Sequence, residues 1–161
     1  MSKKRNLFAL LICLVLTFVC LVSCVEVTLS PELAAKQQAE TDAQEVLGKI
    51  VWDSEDREAI TSNLSFPSEN LNYPGVHIEW QTTEEDVIGT DGKVTLLYDN
   101  DPRAYKLKPE DSSDDTHVIS VTVTATVYAD YSWEDETGTH TEKTEPISKQ
   151  FVFTVLAKPE G

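Results

Sequence analysis

Positive charge, cysteine and glycine are the scarce components of this chain. Its 161 residues carry 13 Lys and Arg against 28 Asp and Glu, a formal net charge of −15. Binding a phosphate backbone needs a basic face, so this balance excludes nucleic acid as a partner. The three cysteines, Cys13, Cys20 and Cys24, all fall at the start of the chain. Everything after them is free of disulfide and thiolate chemistry. There are six glycines, and no phosphate-binding glycine loop among them. No G-x-S-x-G nucleophile elbow occurs. His77, His117 and His140 sit in separate segments, without the H-x-x-x-H or H-x-H spacing of a zinc site. Carboxylates are so numerous that one close pair would not signal glycoside hydrolysis. These gaps point away from an enzyme. A hydrophobic fraction of 40% still suffices for one packed core, and the length fits one domain with a short appendage.

The appendage is at the N-terminus. Lys3, Lys4 and Arg5 precede an uncharged run of 16 residues, Leu7 to Val22, interrupted by one polar residue, Thr17. Such a run enters a bilayer while its positive flank stays cytoplasmic. It is slightly long for a signal-peptide core and slightly short for a transmembrane helix. The next residues, Leu21-Val22-Ser23-Cys24, resemble the lipobox of bacterial lipoproteins. That resemblance implies cleavage before Cys24, a diacylglyceryl group on its thiol, and anchorage to the bacterial membrane on the exported side. No Lys/Arg stop-transfer cluster follows Cys24, whereas an uncleaved anchor would have one. Val25 stands where an Asp in Gram-negative lipoproteins commonly directs inner-membrane retention, so the leaflet stays open. Removing residues 1–23 takes away three positive charges and no negative one. The net charge then moves from −15 to −18.

Ser30-Pro31-Glu32 reads as a helix start, with a Ser cap, Pro at the first helical position and an acid on the positive end of the dipole. Ala39, Ala43, Val46, Leu47 and Ile50 recur at helical spacing, which predicts a helix over about residues 31–48. Its narrow apolar stripe suits either packing on the domain or a spacer to the membrane. After Ile50 the pattern alternates. Asn63 to Pro67 reads as a short strand ended by Pro. Val76, Ile78 and Trp80 face one way, and His77, Glu79 and Gln81 face solvent. Trp80 therefore reads as a core residue. Asp91-Gly92 between two apolar pairs reads as a tight hairpin turn. Val121, Val123, Ala125 and Val127 alternate with Thr122, Thr124, Thr126 and Tyr128, and Phe151, Phe153 and Val155 alternate in a last strand. Strands with one apolar face predict a mainly β fold, two antiparallel sheets packed as an immunoglobulin-like sandwich behind a short N-terminal helix.

Three segments carry a family resemblance: Ala59 to Pro67, then Val76-His77-Ile78-Glu79-Trp80, then Val87 to Thr95 with its Asp91-Gly92-Lys93-Val94 centre. The close, Lys149-Gln150-Phe151-Val152-Phe153-Thr154-Val155, extends it. Together they resemble the atrophied bacterial immunoglobulin-like domain family over about residues 40–157. The resemblance implies a non-catalytic accessory module of surface or secreted proteins and transfers no catalytic residues. The expected organisation is a signal peptide over 1–23, a lipidated N-terminus and spacer over 24–38, and the sandwich over 39–158.

Two stretches exceed the family pattern, Tyr98 to Thr116 and Asp130 to Pro146, and both read as long acidic loops. The first supplies weak calcium candidates, Asp99, Asp101, Asp114 and Asp115, because calcium takes six to eight oxygens. No EF-hand loop is present, and Arg103, Lys106 and Lys108 offset part of that charge. The plainer reading is a solvated acidic surface with no cofactor beyond the lipid. Tyr128, Tyr131 and Trp133 form the candidate ligand patch at the entrance to the second stretch. Asn63-Leu64-Ser65 fits a glycosylation sequon and is given no role. The expected function is non-catalytic presentation of the domain at the envelope. The alternatives are a carbohydrate-binding surface module and an accessory subunit docking on another envelope protein. The calcium question has a direct check: millimolar calcium is expected to leave the melting temperature unchanged, and a rise of several degrees would make the acidic stretches a metal site.

Overall fold

The computed structural model describes residues 29–53, 55–68, 72–107 and 116–160. The signal segment, Cys24 and the candidates Asp114 and Asp115 lie outside the described residues. Two compact units divide the chain, Met1–Ser30 and Pro31–Gly161, and the second contains every element described below. Among the described residues no helix is long and apolar enough to cross a membrane.

The fold is mainly β, with one antiparallel sheet and one N-terminal helix. Helix α1 spans Pro31–Lys49, with Glu32 in its first turn and Lys49 in its last, both favourable to the helix dipole. It buries Ala39, Ala43 and Val46, and Ile50 continues the stripe. These side chains join the core cluster, so the helix packs on the domain. The expected boundary between residues 38 and 39 falls inside this continuous helix.

Strands β1 (Val76–Thr82), β2 (Tyr105–Lys106), β3 (His117–Asp135), β4 (Gly138–Lys143) and β5 (Ile147–Leu156) form a single sheet. Every other strand pairs antiparallel with β3: β1 and β2 by hydrogen bonds of its even-numbered residues, β4 and β5 on the opposite edge. The alternation along β3 decides its faces. Ile119, Val121, Val123, Ala125, Val127, Ala129 and Tyr131 are buried, while Thr122, Thr124 and Thr126 remain partly exposed on the outer face. Fully burying a Val, Leu or Ile side chain is worth roughly 1.5–3 kcal/mol, which fixes this register.

Among the described residues a second sheet is not formed. The layer over the apolar face consists of α1 and the connecting segments, which retain an isolated bridge of Ile88 with Val94, whereas the bridge of Ile60 with Val155 extends the edge of β5 itself. Asn63 to Pro67 runs without strand pairing. Leu64 N–H donates to Gly92 O (2.8 Å), and Val94 N–H donates to the Asn63 side-chain oxygen (2.9 Å). A side chain there substitutes for a ladder bond, which is why the segment does not become a regular strand. The aromatic side chains fill the layer beyond the helix. Trp52 stands edge-on to Phe151, Phe153, Trp80 and Phe66, with centroids 4.7, 5.4, 5.9 and 6.0 Å away. Phe66 stacks on Trp80 at 4.4 Å, and Trp80 Nε1 donates to Pro67 O (2.8 Å). Trp80 is thus half-buried and packs against the core on the face its alternation assigned.

The second expected loop, Asp130 to Pro146, is instead a β-hairpin. β3 continues to Asp135, turns through Glu136-Thr137, and returns as β4. Its Tyr, Trp and Thr residues have strand propensity, and Gly138 supplies a φ of 130° at the turn. The acidic residues had masked that pattern. Between β4 and β5, Thr144 to Pro146 set three residues against Tyr128 and Ala129, a β-bulge. Thr144 is buried there. Its N–H donates to Ala129 O (2.9 Å), and its hydroxyl accepts from Ala129 N–H (3.0 Å).

The Asp91-Gly92 turn forms as expected. Thr95 N–H donates to Val87 O, Gly89 N–H donates to Lys93 O at 2.9 Å, and the Asp91 carboxylate accepts from Lys93 N–H. Gly92 has a φ of 80°, and a Cβ on it would lie 2.3 Å from Leu64 O. Gly92→Ala is therefore expected to destabilise by about 2 kcal/mol or more, the left-handed penalty plus a backbone clash. Gly48→Ala, in α1 with nothing within 4 Å, is expected to stabilise by about 0.5 kcal/mol. Urea melts of the two variants check the contrast.

Candidate functional site

The register of β1 and β3 sets His77 opposite Tyr128 and Glu79 opposite Thr126 on the outer face of the sheet. The β3–β4 hairpin sets Asp130 opposite Lys143 on the same face. These residues make one connected cluster. The Tyr128 hydroxyl donates to Glu79 Oε1 (3.1 Å), the Tyr128 ring stacks on His77 at 5.0 Å, and Lys143 Nζ lies 4.8 Å above the ring centroid. His77 Nε2 meets Asp130 Oδ2 at 2.9 Å. A groove of about 350 Å³ runs beside them, lined by Glu79, Thr126, Tyr128, Lys143, Thr144 and Pro146. Asp130 Oδ1 is buried and has no hydrogen-bond partner among the described residues. His77 does face outward, but as a hydrogen-bonded and stacked residue rather than a freely solvated one.

The candidate patch Tyr128, Tyr131 and Trp133 does not come together. Even and odd positions of β3 point to opposite faces, so Tyr128 is separated from the other two by the sheet itself. On the helix-facing side Tyr131 is 7% exposed, stacks on Trp133 at 5.7 Å, and donates its hydroxyl to Glu142 Oε2 (2.9 Å). That carboxylate pushes the Tyr131 pKa up, with burial adding to it. Trp133 stacks in turn on His140 at 5.0 Å. The three rings therefore form a ladder along the hairpin, with Trp133 stacked against both neighbours.

The calcium candidates divide as well. Asp99 Oδ1 accepts from Glu160 N–H (3.2 Å). Asp101 is engaged by Arg103, whose Nε and backbone N–H both donate to Oδ1 at 2.9 Å. The same guanidinium reaches Glu84 Oε2 (2.6 Å) and grips Asp86 through two bonds of 2.8 and 2.9 Å. Its hydrogen bonds hold the Asp86 and Asp101 carboxyls below the usual range, and they in turn raise the Arg103 pKa. One cation thus ties the segments at residues 84–86 and 101–103 together, and it occupies oxygens a metal would need. The sequence did mark Arg103 as offsetting that charge; its partners Glu84 and Asp86 had no spacing signal, since they are brought in by the fold. Among the described residues no group of three or more His, Cys, Asp or Glu side chains converges as a metal site.

What this arrangement does chemically is hold surfaces together by paired charge. The His77–Asp130 pair resembles half of a relay, yet among the described residues no hydroxyl or thiol hydrogen-bonds to His77. Comparison with protein-family models, with curated proteins and with solved structures returns no match for this chain.

The hairpin tip carries the clearest titration. Asp135 Oδ1 accepts from the Thr137 hydroxyl (2.6 Å), Thr137 N–H (2.7 Å) and His140 Nε2 (3.1 Å). Thr137 above all holds the Asp135 pKa down to about 2, from an ordinary 3.8. A depressed folded-state pKa adds stability above the unfolded value, and that contribution is lost as pH falls from about 3.8 through about 2. Carboxyl NMR is expected to place the Asp135 midpoint near 2, and in Thr137→Ala that midpoint moves back up. A midpoint in the ordinary carboxylate range in the parent chain would disprove the turn's hydrogen bonding.

Proposed function

We propose that this chain is a non-catalytic bacterial lipoprotein that presents a reduced immunoglobulin-like domain on the exported side of the membrane. Cys24 is the lipidated residue, residues 1–23 are removed, and the acidic domain from α1 onward is displayed for binding or structural roles at the envelope.

The geometry that carries the reading is the three-strand core of the sheet. In an immunoglobulin constant-type sandwich one sheet is built of strands C, F and G, with a buried Trp on C. Here β1, β3 and β5 pair in the same order, and the half-buried Trp80 of β1 packs against Phe66 and Trp52 on the inner face. Ile60 lies parallel to β5 at Val155 on the edge of this sheet, while the Leu64–Gly92 bond and the Ile88–Val94 bridge mark where an opposing sheet would pair. The second sheet is thus reduced to single contacts, which agrees with the resemblance to an atrophied member of the class. The ion pairs of Arg103 and the His77–Asp130 hydrogen bond hold the fold, which supports display rather than turnover. Acyl chains on Cys24 would supply the anchorage, since one chain alone binds a bilayer only marginally and lipoproteins carry more than one.

Intact-mass analysis of the chain from bacterial membranes tests this reading. The expected species starts at Cys24 and carries a diacylglyceryl adduct, while Cys24→Ala retains residues 1–23. A wild-type chain that keeps Met1 to Ser23 and a free thiol at Cys24 would overturn it.

A further inference from the structure

We propose that the exposed edge of β5 is a self-association surface, at which two copies of this chain pair antiparallel about Gln150 and join their sheets.

The register fixes which backbone groups are open. Odd-numbered residues of β5 bond to β3, so the N–H and C=O groups of Ser148, Gln150, Val152, Thr154 and Leu156 point away from it. At the far end the chain covers its own edge. Ile60 N–H donates to Thr154 O (2.8 Å), and Leu156 N–H donates to Ile60 O (3.0 Å). Ala59 is bent into a φ of 50° to reach there, and its N–H donates to the Thr154 hydroxyl (3.0 Å). At the near end Pro146 has no N–H to offer. Between these two stops, Ser148, Gln150 and Val152 are exposed, and none of the described residues pairs with their outward backbone groups.

That open stretch is complementary to itself. Antiparallel pairing about Gln150 sets Gln150 opposite its own copy and Ser148 opposite Val152, each pair exchanging both ladder bonds. The pairing would end where Pro146 of one copy meets Thr154 of the other, the position already covered by Ile60. The open length of one copy therefore matches the open length of its partner. No like charges face each other across it, in a chain of which 25% of residues are charged. Edge strands are commonly protected by an inward-pointing charge, and Lys149 is the candidate here. Its ammonium is instead drawn under the sheet, donating to Ile50 O (2.8 Å) and lying 5.1 Å from the Phe151 ring centroid. Val152, 52% exposed on the outer face, adds apolar surface to the edge.

The β1 edge lacks this property. Its outward groups belong to Ile78 and Trp80, and the symmetric pairing in which these two exchange bonds is centred on Glu79 and brings two Glu79 carboxylates together. Like charges directly opposed are destabilising. The net negative charge of the whole chain opposes association at either edge, so pairing at β5 strengthens as salt screens it.

Single cysteines test the proposal in the full chain, in the membranes of cells that make it and in the purified protein. Cross-strand hydrogen-bonded pairs hold their Cα atoms about 5.5 Å apart, within disulfide reach. Gln150→Cys is expected to form a disulfide-linked dimer on mild oxidation. Co-produced Ser148→Cys and Val152→Cys chains are expected to link to each other. Gln81→Cys on β1, which keeps Glu79, and Ser148→Cys alone are expected to link about tenfold less, because their thiols lie outside that reach. The chain without an added cysteine gives the background from Cys13, Cys20 and Cys24. All of these substituted positions are on the surface, and coincident melting curves confirm that the variants fold. Amide exchange at Ser148, Gln150 and Val152 is expected to slow as protein concentration rises. Equal linking at residues 81 and 150, no linking at 150, or a Gln150→Cys adduct to a different protein would each overturn the proposal. Processing at Cys24 is read separately by mass, so a chain that is not lipidated but links at 150 leaves this inference standing.

Discussion

Every strand of this domain hangs on β3. β1, β2, β4 and β5 each pair with it, so the alternation along its 19 residues sets which side of the sheet is the core. Val and Ala on one side and Thr on the other make the choice unambiguous. A slip of one residue would bury three threonine hydroxyls and expose the valines. Because only one face is apolar, one covering layer is sufficient. α1 meets it with Ala39 and Ala43, small enough for a close approach, and Trp52 fills the space where the helix ends, in contact with four other rings. The Arg103 guanidinium then gathers Glu84, Asp86 and Asp101, joining segments that no strand connects.

Much of this was legible where one local rule acted alone. The Ser30-Pro31-Glu32 signal and the Ala39/Ala43/Val46 spacing located a helix that the structure runs over Pro31–Lys49. The Val/Thr alternation located β3, and Asp91-Gly92 located its turn. Legibility failed where two signals competed. In residues 130–146 the carboxylates suggested a solvated loop, yet the Tyr, Trp and Thr residues between them carry the strand, and exposed acids are tolerated on a two-stranded hairpin. It also failed where pairing is decided by a distant partner. Asn63 to Pro67 has strand composition, but Asn63 uses its side chain on Val94 N–H. Trp52 sits in no periodic segment, so nothing local marked it as the centre of the aromatic cluster. The candidate patch failed for a geometric reason that parity alone contains: residues 128 and 131 differ by an odd number and cannot share a face of one strand.

Acidity has a different meaning in the folded chain than in the composition. Several carboxylates are structural: those around Arg103, Asp135 in the hairpin tip, Glu142 on Tyr131, and Asp130 on His77. A domain without a disulfide gains fixed tertiary contacts from them. Their exposure limits each to a modest, salt-sensitive contribution, so the apolar face of β3 still dominates stability. The remaining carboxylates leave a large negative charge, which favours solubility and opposes close packing of copies.

That opposition gives the sheet edges their different characters. A one-sheet domain ends in two rows of backbone donors and acceptors, and a folded chain has to prevent their indiscriminate pairing. On β1 the device is Glu79, a charge at the centre of the strand. On β5 the chain folds back through the strained Ala59 to cover Thr154 and Leu156, and it stops there. Had protection been the sole requirement, the same segment could have continued along β5, or Lys149 could have reached across the edge. Instead Lys149 is tied to Ile50, and a neutral stretch bounded by Pro146 and Ile60 is left with its backbone groups outward. A bounded edge admits a partner strand of one length only. That limit is what separates a closed pair from open-ended sheet growth, because a paired β5 has no further edge to offer and β1 repels its own copy.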